Sequence, residues 1–370
     1  MLSSQAEIEV RGGRVSGHPV AVAPTRSQGR TRWQAVLAPF VVSRLFSDSL
    51  IAAMALIRGR NVVRGGFARW DGRWYTWIAE HGYTAIPHAH HHQTPWPFFP
   101  LVPVAMRSIG WLGVSAPVAG IVLNHVAFLL GLVGIYRLAL RHTSSRGAAI
   151  AVWVTALSPF AFVFSMIYPS AIFLAASVWA FLLVEEGNDL AAGLAAAAAT
   201  LARPDGVIVV IVLLFVVRFD WSRAVRVAGP AAIGFFTWML YNSTRTGDAL
   251  RFLHAKRAWH EVDLEALLQH PRGNRVFHVA IAAVAIAIVF WVRRAIPRSW
   301  SWFTVLYLLP SLALGVVGMG RYATETFPPV IAAGVLLERH HRRTIIVTLG
   351  ALAITQAICA YFYIGRHSLI

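Results

Sequence analysis

The sequence predicts an all-α protein whose helices cross a lipid bilayer many times. Of its 370 residues, 57% are apolar and 13% are charged, whereas roughly a quarter of an ordinary soluble domain is charged. The apolar residues fall into successive runs, many of them close to the ~20 residues that a spanning helix needs. This composition excludes a soluble globular enzyme, and the 12% aromatic content excludes a disordered or fibrous chain.

The chain divides into a short tail and one long membrane domain. Residues 1–32 are rich in Gly, Ser and Arg and lack an apolar run, which predicts a disordered cytoplasmic tail and not a signal peptide. Residues 33–370 form a single transmembrane domain. Its first span, about 33–57, carries Arg44 and Asp48 on one helical face.

Further apolar segments follow a long polar stretch that covers residues 58–97. Several are shorter than the ~20 residues of a perpendicular span, which fits tilted, half-buried or re-entrant helices. The segments are 98–112, 116–138, 147–167, 169–184, 190–202, 206–217, 228–243, 276–292, 301–318, 327–338 and 344–364.

Basic residues in short loops indicate which side faces the cytoplasm. Arginine groups at 137–146, 218–226, 293–298 and 339–343 share a side with the tail if residues 98–112 lie along the membrane. This arrangement predicts about eleven spans, an inner N-terminus and an outer C-terminus. Residues 58–112 then form the first outer loop, with interfacial helices. Basic clusters within 58–73 and 245–257 would also lie outside, where we expect them to bind anions.

The unusual polar motifs all fall in the predicted outer loops, as a membrane-embedded active site requires. No internal repeat and no separate soluble domain accompanies them. The motifs are Trp70-Asp71-Gly72-Arg73-Trp74-Tyr75 with Glu80-His81-Gly82-Tyr83, Tyr168-Pro169-Ser170, Arg203-Pro204-Asp205-Gly206, Thr246-Gly247-Asp248 with Phe252 and Trp259, and Gly320-Arg321-Tyr322.

Asp71 is the candidate general base. Trp70, Trp74 and Trp77 recur at helical spacing around it, which predicts an amphipathic helix in the interface with its aromatic face toward lipid. An anchor helix with solvated charges explains the same pattern. Asp71, however, lies at the outer end of the first span, where a carboxylate can accept a proton from an acceptor hydroxyl.

Arg203 and Arg321 are the candidate ligands of a phosphate. The Pro204-Asp205-Gly206 sequence predicts a tight turn between two helices. An arginine at membrane depth needs an anionic partner, and a guanidinium suits a lipid phosphate. A structural ion pair would satisfy either arginine equally well, so both interpretations stay open.

Other polar clusters predict no cofactor. The histidines at 88 and 90–92 lack ordered metal-ligand spacing and favour a flexible loop, and Glu261 with Asp263 favours a solvated loop. The chain has no P-loop, dinucleotide fingerprint or nucleophile elbow, which argues against nucleotide-driven chemistry. Its net charge of +17 needs no nucleic acid, because anionic headgroups and basic inner loops account for it.

These motifs resemble, in order, those of the PIG-V-type mannosyltransferases, integral membrane glycosyltransferases of the GT-C class. The resemblance covers about residues 40–330, and the first-loop motif over residues 70–83 is its most specific part. The remaining matches are Phe98-Phe99-Pro100-Leu101-Val102-Pro103, Asn124, Ser158-Pro159 with Tyr168, Ala202-Arg203-Pro204 with Gly206, Thr246-Gly247-Asp248 with Phe252 and Trp259, and Arg321-Tyr322 before Phe327-Pro328.

The resemblance implies a GT-C helical bundle that inverts the anomeric carbon of a sugar carried on polyprenyl or dolichyl phosphate. Mannose is the expected sugar, and Asp71 takes the role of general base. No cofactor is expected, and a divalent metal stays open. The chain departs from the family at Ser170, where a glutamate is usual. The motifs supply these further substrate-binding candidates: Trp70, Arg73, Trp74, Tyr75, Tyr168, Asp248, Trp259 and Tyr322.

Two other functions stay open. A transporter or flippase of a lipid-linked sugar would need a polar path, for which Arg44, Asp48, Asn124 and Asn242 are the candidates. An inactive partner subunit would fit Ser170. The acceptor, whether glycan, glycolipid or protein, is also open. Because 32 of the 33 basic residues are arginine, a bacterial plasma membrane with an outer active site is favoured, or the endoplasmic reticulum membrane if the protein is eukaryotic.

Overall fold

A computed structural model describes residues 32–85, 93–256, 258, 273–311 and 315–365. Within those ranges all regular structure is helical, which confirms the predicted all-α class. The predicted tail, apart from its last residue, lies outside the described residues. So do the histidines at 88 and 90–92, Trp259, Glu261 and Asp263.

Four of the described helices are long and apolar enough to cross a bilayer, and they span the chain from its first helix to its last. These four are α1, α4, α9 and α15, and the other apolar helices have 10–17 residues. The protein is therefore an integral membrane protein. The helices are α1 Trp33–Ile57, α2 Asp71–His81, α3 Leu101–Gly110, α4 Ala116–Ala139, α5 Ser145–Leu157, α6 Ser170–Glu185, α7 Asp189–Ala202, α8 Val207–Val216, α9 Trp221–Thr246, α10 Arg251–Lys256, α11 Gly273–Trp291, α12 Arg298–Leu308, α13 Met319–Glu325, α14 Phe327–Leu337 and α15 Arg342–Ile364.

Helix boundaries follow the predicted apolar segments closely, and the differences have local causes. The predicted segment 147–167 divides after α5, because Ser158-Pro159 begins an irregular stretch that includes a short 3-10 turn. The predicted segment 301–318 ends as an α-helix at Leu308, and the short helix α13 follows. Residues 98–112 yield only the ten-residue α3.

The arginine groups of the predicted inner loops meet at one end of the bundle, which we call the arginine end. Ion pairs and polar contacts join neighbouring helix termini there. The contacts are Arg137 with Glu186, Arg141 with Glu185, Arg223 and Arg226 with Asp189, Ser144 with Glu338, Arg146 with the His340 carbonyl, and the His142 ring with Trp300.

The opposite end, which we call the site end, holds the polar motifs of the predicted outer loops. The last turn of α15 binds the loop between α1 and α2 there. Arg60 donates to the Ile364 carbonyl over 3.1 Å, and Arg69 donates to the Gly365 carbonyl over 2.9 Å. The Trp70 indole donates to the Tyr363 carbonyl over 3.1 Å. These bonds fix the approach of the chain to α2.

Helix α2 confirms the predicted helix after Trp70, but the prediction that its aromatic face meets lipid is wrong. Trp74 is buried and stacks on Phe98, with ring centroids 5.4 Å apart. Tyr75 is also buried and meets the edge of the same ring. The reason is that the segment after α2 folds back and covers the aromatic face, so α2 contributes to the protein core.

The two charges of the first span take separate partners instead of each other. The Arg44 guanidinium is buried and donates to Ser165 Oγ over 2.7 Å and to the Ala161 carbonyl over 3.2 Å. Asp48 lies 2.9 Å from the His125 ring on α4. Both residues therefore tie α1 to neighbouring elements.

Candidate active site

Asp71 begins α2 at a tightly constrained point of the backbone. The preceding Trp70 has φ 55°, a left-handed value that a non-glycine residue rarely adopts. The Tyr168 hydroxyl accepts a hydrogen bond from the Asp71 amide over 3.3 Å. The Asp71 side chain is 32% exposed. Contacts with the end of α15 hold the strained turn, and the carboxylate faces the surface of the site end.

Arg321 from α13 reaches the same carboxylate. Its Nη1 donates to Asp71 Oδ2 over 3.3 Å. The guanidinium lies over the rings of Tyr168 and Tyr322, each 5.2 Å from the ring centroid. Asp71 Oδ1 has no protein partner among the residues that the structure describes. One carboxylate oxygen is thus held by a cation while the other is free to meet a substrate.

A second guanidinium lies next to the first and shares one buried carboxylate with it. Arg203 follows α7 directly, and its side chain forms an ion pair with Glu325 and a second one with Asp205 over 2.9 Å. Arg321 Nε lies 3.7 Å from the Glu325 carboxylate. Arg203 also stacks on Tyr322 at 4.5 Å, so Tyr322 lies between the two arginines.

Glu325 is the centre of this network and is fully buried. Its carboxylate accepts hydrogen bonds from Ser170 Oγ and from the Tyr307 hydroxyl, the latter over 3.1 Å. Four residues from four segments therefore meet on one side chain: Ser170, Arg203, Tyr307 and Arg321. Such a charge is tolerated inside a protein only because its partners are in place.

Each arginine has one buried nitrogen that makes no hydrogen bond within the described ranges. The Nε atoms of Arg203 and Arg321 are buried and have no hydrogen-bond partner within the described ranges. The carboxylates nearby, those of Asp71, Asp205 and Glu325, outnumber the two guanidinium groups by one. Arg321 Nε is still only 3.7 Å from the Glu325 carboxylate, whereas both recorded ion pairs of Arg203 use its Nη atoms.

The network brings together five of the residues that the sequence singled out: Asp71, Tyr168, Arg203, Arg321 and Tyr322. Trp70, Trp74 and Tyr75 support the same region from the α2 side by packing. The chemical role of each residue stays a prediction.

Two other candidates lie apart from this network. Arg73 is exposed on α2, and within the described part of the chain it makes no ion pair. Asp248 contacts its own loop, where it accepts the Leu250 amide and lies 2.8 Å from the His254 ring. The hydrogen bond with His254 lowers the pKa of the Asp248 carboxyl. Asp248 therefore stabilises the turn after α9.

Sequence reasoning missed Glu325, Tyr307 and Tyr363. Glu325 had a visible signal, because it is an acidic residue between two apolar segments and four residues after Arg321. Tyr363, whose hydroxyl is hydrogen-bonded to that of Tyr168, offered no such signal. No three His, Cys, Asp or Glu side chains converge as a metal site in the described ranges.

Comparison with solved structures identifies the architecture. ArnT from Cupriavidus metallidurans bound to undecaprenyl phosphate superposes with a TM-score of 0.56 at 15% identity, over 88% of this chain and 64% of that one. The apo oligosaccharyltransferase of Archaeoglobus fulgidus superposes with a TM-score of 0.53 at 12% identity, over 91% of this chain and 57% of that one. The fold is of the GT-C type.

The GT-C fold is shared well beyond detectable sequence similarity. No family model and no curated protein matches the sequence. The chain spans 64% and 57% of the two GT-C structures, both of which are longer. At 12–15% identity the likeness concerns the fold alone, because one fold hosts many functions.

Proposed function

We propose that the protein is an inverting glycosyltransferase that moves a hexose from a polyprenyl- or dolichyl-phosphate carrier to an acceptor hydroxyl. Mannose is the sugar that the PIG-V-like motifs favour. The reaction takes place at the site end, which we place on the non-cytoplasmic side of a bacterial plasma membrane because the arginine end carries the basic inner loops. Glycans, glycolipids and proteins all offer a suitable hydroxyl.

The observation that carries this proposal is the Asp71 carboxylate beside two guanidinium groups. Asp71 Oδ2 is held 3.3 Å from Arg321, whereas Oδ1 is free and the side chain is partly exposed. A general base must reach the proton that it abstracts, so partial exposure at the site end suits it. ArnT, which shares the fold, is a glycosyltransferase whose structure contains undecaprenyl phosphate.

The proposed step is a single displacement at the anomeric carbon. The acceptor oxygen forms a bond to C1 from one face and passes its proton to Asp71. The bond between C1 and the phosphate oxygen breaks on the opposite face, and its electron pair stays on the phosphate. One substitution of this kind inverts the configuration at C1.

The arginines would stabilise the departing phosphate, whose negative charge grows as the bond breaks. Arg203 Nε has no hydrogen-bond partner within the described ranges and is a suitable donor to it. Glu325 holds both guanidinium groups in position before the substrate arrives. This preorganisation matters because a charge network that is already ordered needs little rearrangement in the transition state.

The test is transfer by purified protein in vesicles, followed as release of polyprenyl phosphate from radiolabelled polyprenyl-phosphate mannose. Asp71→Asn preserves the shape of the side chain but cannot act as a base, so we expect turnover to fall at least ~100-fold. Glu80→Gln is the matched control, because Glu80 lies exposed on the same helix and its carboxylate makes no hydrogen bond or ion pair within the described chain.

Wild-type turnover in Asp71→Asn with a folded protein would refute the assignment of the base. Intact labelled lipid that crosses the membrane without release of polyprenyl phosphate would favour the flippase. The residues proposed for a polar path give it little support. Asn124 and Asn242 each donate to a carbonyl of their own helix.

The inactive-subunit alternative rested on Ser170. The structure supplies a carboxylate beside this position, since Ser170 Oγ donates to Glu325. We propose that Glu325 provides from α13 the acidic group that position 170 lacks. The departure from the family pattern is then compatible with activity.

A further inference from the structure

A second polar site lies at the arginine end, in the connection between α11 and α12. A cavity of about 580 Å³ opens there, within the size range of ligand pockets. Its lining includes Phe290, Arg293, Arg294, Arg298, Ser301 and Trp302. The proposed active site is at the other end of the bundle, so this cavity belongs to a different site.

The cationic side chains of the cavity lack acidic partners. Arg293, Arg294 and Arg298 are exposed, and none forms an ion pair within the described ranges. Some other arginines at this end do have acidic partners. Arg137 and Arg223, for example, each bind a carboxylate over 2.9 Å. Three unneutralised guanidinium groups around one cavity provide strong donors for an anion.

Ser301 supplies an independent sign that a ligand belongs here. The residue is only 8% exposed and lines the cavity, yet its Oγ has no hydrogen-bond partner among the described residues. Two other buried serines within helices, Ser43 and Ser177, each donate to a carbonyl of the preceding turn. A buried hydroxyl without a partner carries a free-energy cost that a ligand acceptor would remove.

The N-terminus of α12 carries a partial positive charge, which favours a bound anion. Arg298 is its first residue, and the preceding Pro297 offers no side-chain cap for the free amides of the first turn. The N-terminus of an eleven-residue helix therefore faces the same region as the guanidinium groups. Both features favour a negatively charged group with several acceptor oxygens, and a phosphate fits this description.

The aromatic rim indicates where that phosphate comes from. Phe290 is 42% and Trp302 is 64% exposed beside the cavity, and the neighbouring Trp291 is 82% exposed. Exposed aromatic rings next to basic residues are typical of the headgroup level of a membrane. We propose that this cavity binds the phosphate of an anionic phospholipid headgroup.

The test measures lipid binding and not transfer, so its failure is distinguishable from failure of the proposed function. Purified full-length protein in neutral detergent receives equal amounts of phosphatidylglycerol and phosphatidylcholine, and native mass spectrometry counts the bound lipids. We expect wild-type protein to retain phosphatidylglycerol preferentially. The triple variant R293Q/R294Q/R298Q should lose about tenfold or more of that binding, because it removes the charge-assisted hydrogen bonds.

The matched control is R339Q/R342Q/R343Q, which removes the same charge from exposed arginines at the same end that do not line the cavity. It should retain phosphatidylglycerol within about twofold, because these arginines do not line the cavity and act on the lipid only through screened, long-range attraction. Ser301→Ala changes no charge and should still weaken binding severalfold. If the triple variant fails to fold, Ser301→Ala by itself tests whether the cavity binds phosphatidylglycerol.

Several results would overturn the proposal. Equal losses in the two triple variants would show attraction by net charge alone, and unchanged binding in Ser301→Ala would overturn the proposed site. Inorganic pyrophosphate is the second probe. If it binds without lipid and displaces phosphatidylglycerol from wild-type protein, the phosphate contacts would stand but the lipid would be the wrong source.

Discussion

Glu325 offers the sharpest test of how the site is built, because one neutral substitution affects every member of the network. Glu325→Gln keeps the size of the side chain and removes its charge. The amide nitrogen that replaces one oxygen cannot accept a hydrogen bond, so either Ser170 or the Arg203–Tyr307 pair loses its acceptor. Arg203 and Arg321 also lose the buried charge that they share.

The expected cost follows from burial. Glu325 is 0% and Arg203 is 8% exposed at the side chain, so water cannot replace the lost partner. Removal of one member of a buried ion pair costs about 3–5 kcal/mol of stability. Arg203 keeps its bond to Asp205 over 2.9 Å, which argues for the lower end of that range. At ~2–4 °C per kcal/mol, we expect thermal unfolding to shift down by roughly 6–12 °C.

The protein contains its own reporter for this measurement. Its single cysteine, Cys359, is 1% exposed within α15. A thiol-reactive fluorophore therefore reports unfolding as the temperature rises in detergent. Glu186→Gln is the control, because it removes the same charge from an ion pair with Arg137 that is about one-third exposed. Such pairs contribute only about 0–1 kcal/mol.

The double variant Ser170→Glu with Glu325→Ser tests whether the carboxylate must come from α13 or can also come from α6. If the position of the charge is decisive, the double variant should recover part of the lost stability and turnover. A Glu325→Gln protein that unfolds at the wild-type temperature would refute the assignment of Glu325 as the structural centre of the site.

Two further predictions use the same thiol assay. Gly206→Ala should destabilise the protein by up to about 3 kcal/mol, because a Cβ there would overlap the backbone of Ala199, whereas Gly229→Ala should be neutral since nothing lies within 4 Å of its Cβ position. A wild-type unfolding temperature in Gly206→Ala would contradict the close approach of α7 and α8. Arg44→Lys should cost about 1–3 kcal/mol, because an ammonium cannot reproduce both the bond to Ser165 and the second bond to a backbone carbonyl. Equal stability of the lysine variant would show that the guanidinium geometry there is unimportant.

Helix positions could be predicted from the sequence because a helix that crosses the hydrocarbon core must be apolar over most of its length. The predicted start of a helix at Phe327-Pro328 matches α14, and the Arg203-Pro204-Asp205-Gly206 motif forms the predicted turn with its charge pair. Proline and glycine act through local backbone geometry, so their effects are visible without tertiary information.

Partners of charged side chains could not be predicted in the same way. Arg44 and Asp48 are one turn apart, yet each binds another element, because the choice depends on which helices become neighbours. The arginines of the site posed the same problem. A lipid phosphate and a structural ion pair were both open, and the fold showed that Arg203 and Arg321 share the buried Glu325.

The contact between the end of α15 and the turn before Asp71 has a consequence for biosynthesis. Trp70 bonds to the carbonyl of Tyr363, a residue 293 positions later in the chain. At a translation rate of ~5–20 residues per second, roughly 15–60 s separate the synthesis of these two partners. The strained turn before Asp71 therefore obtains its final support only when α15 has been inserted. A nascent chain that stops before α15 would contain every candidate catalytic side chain and still lack an assembled site.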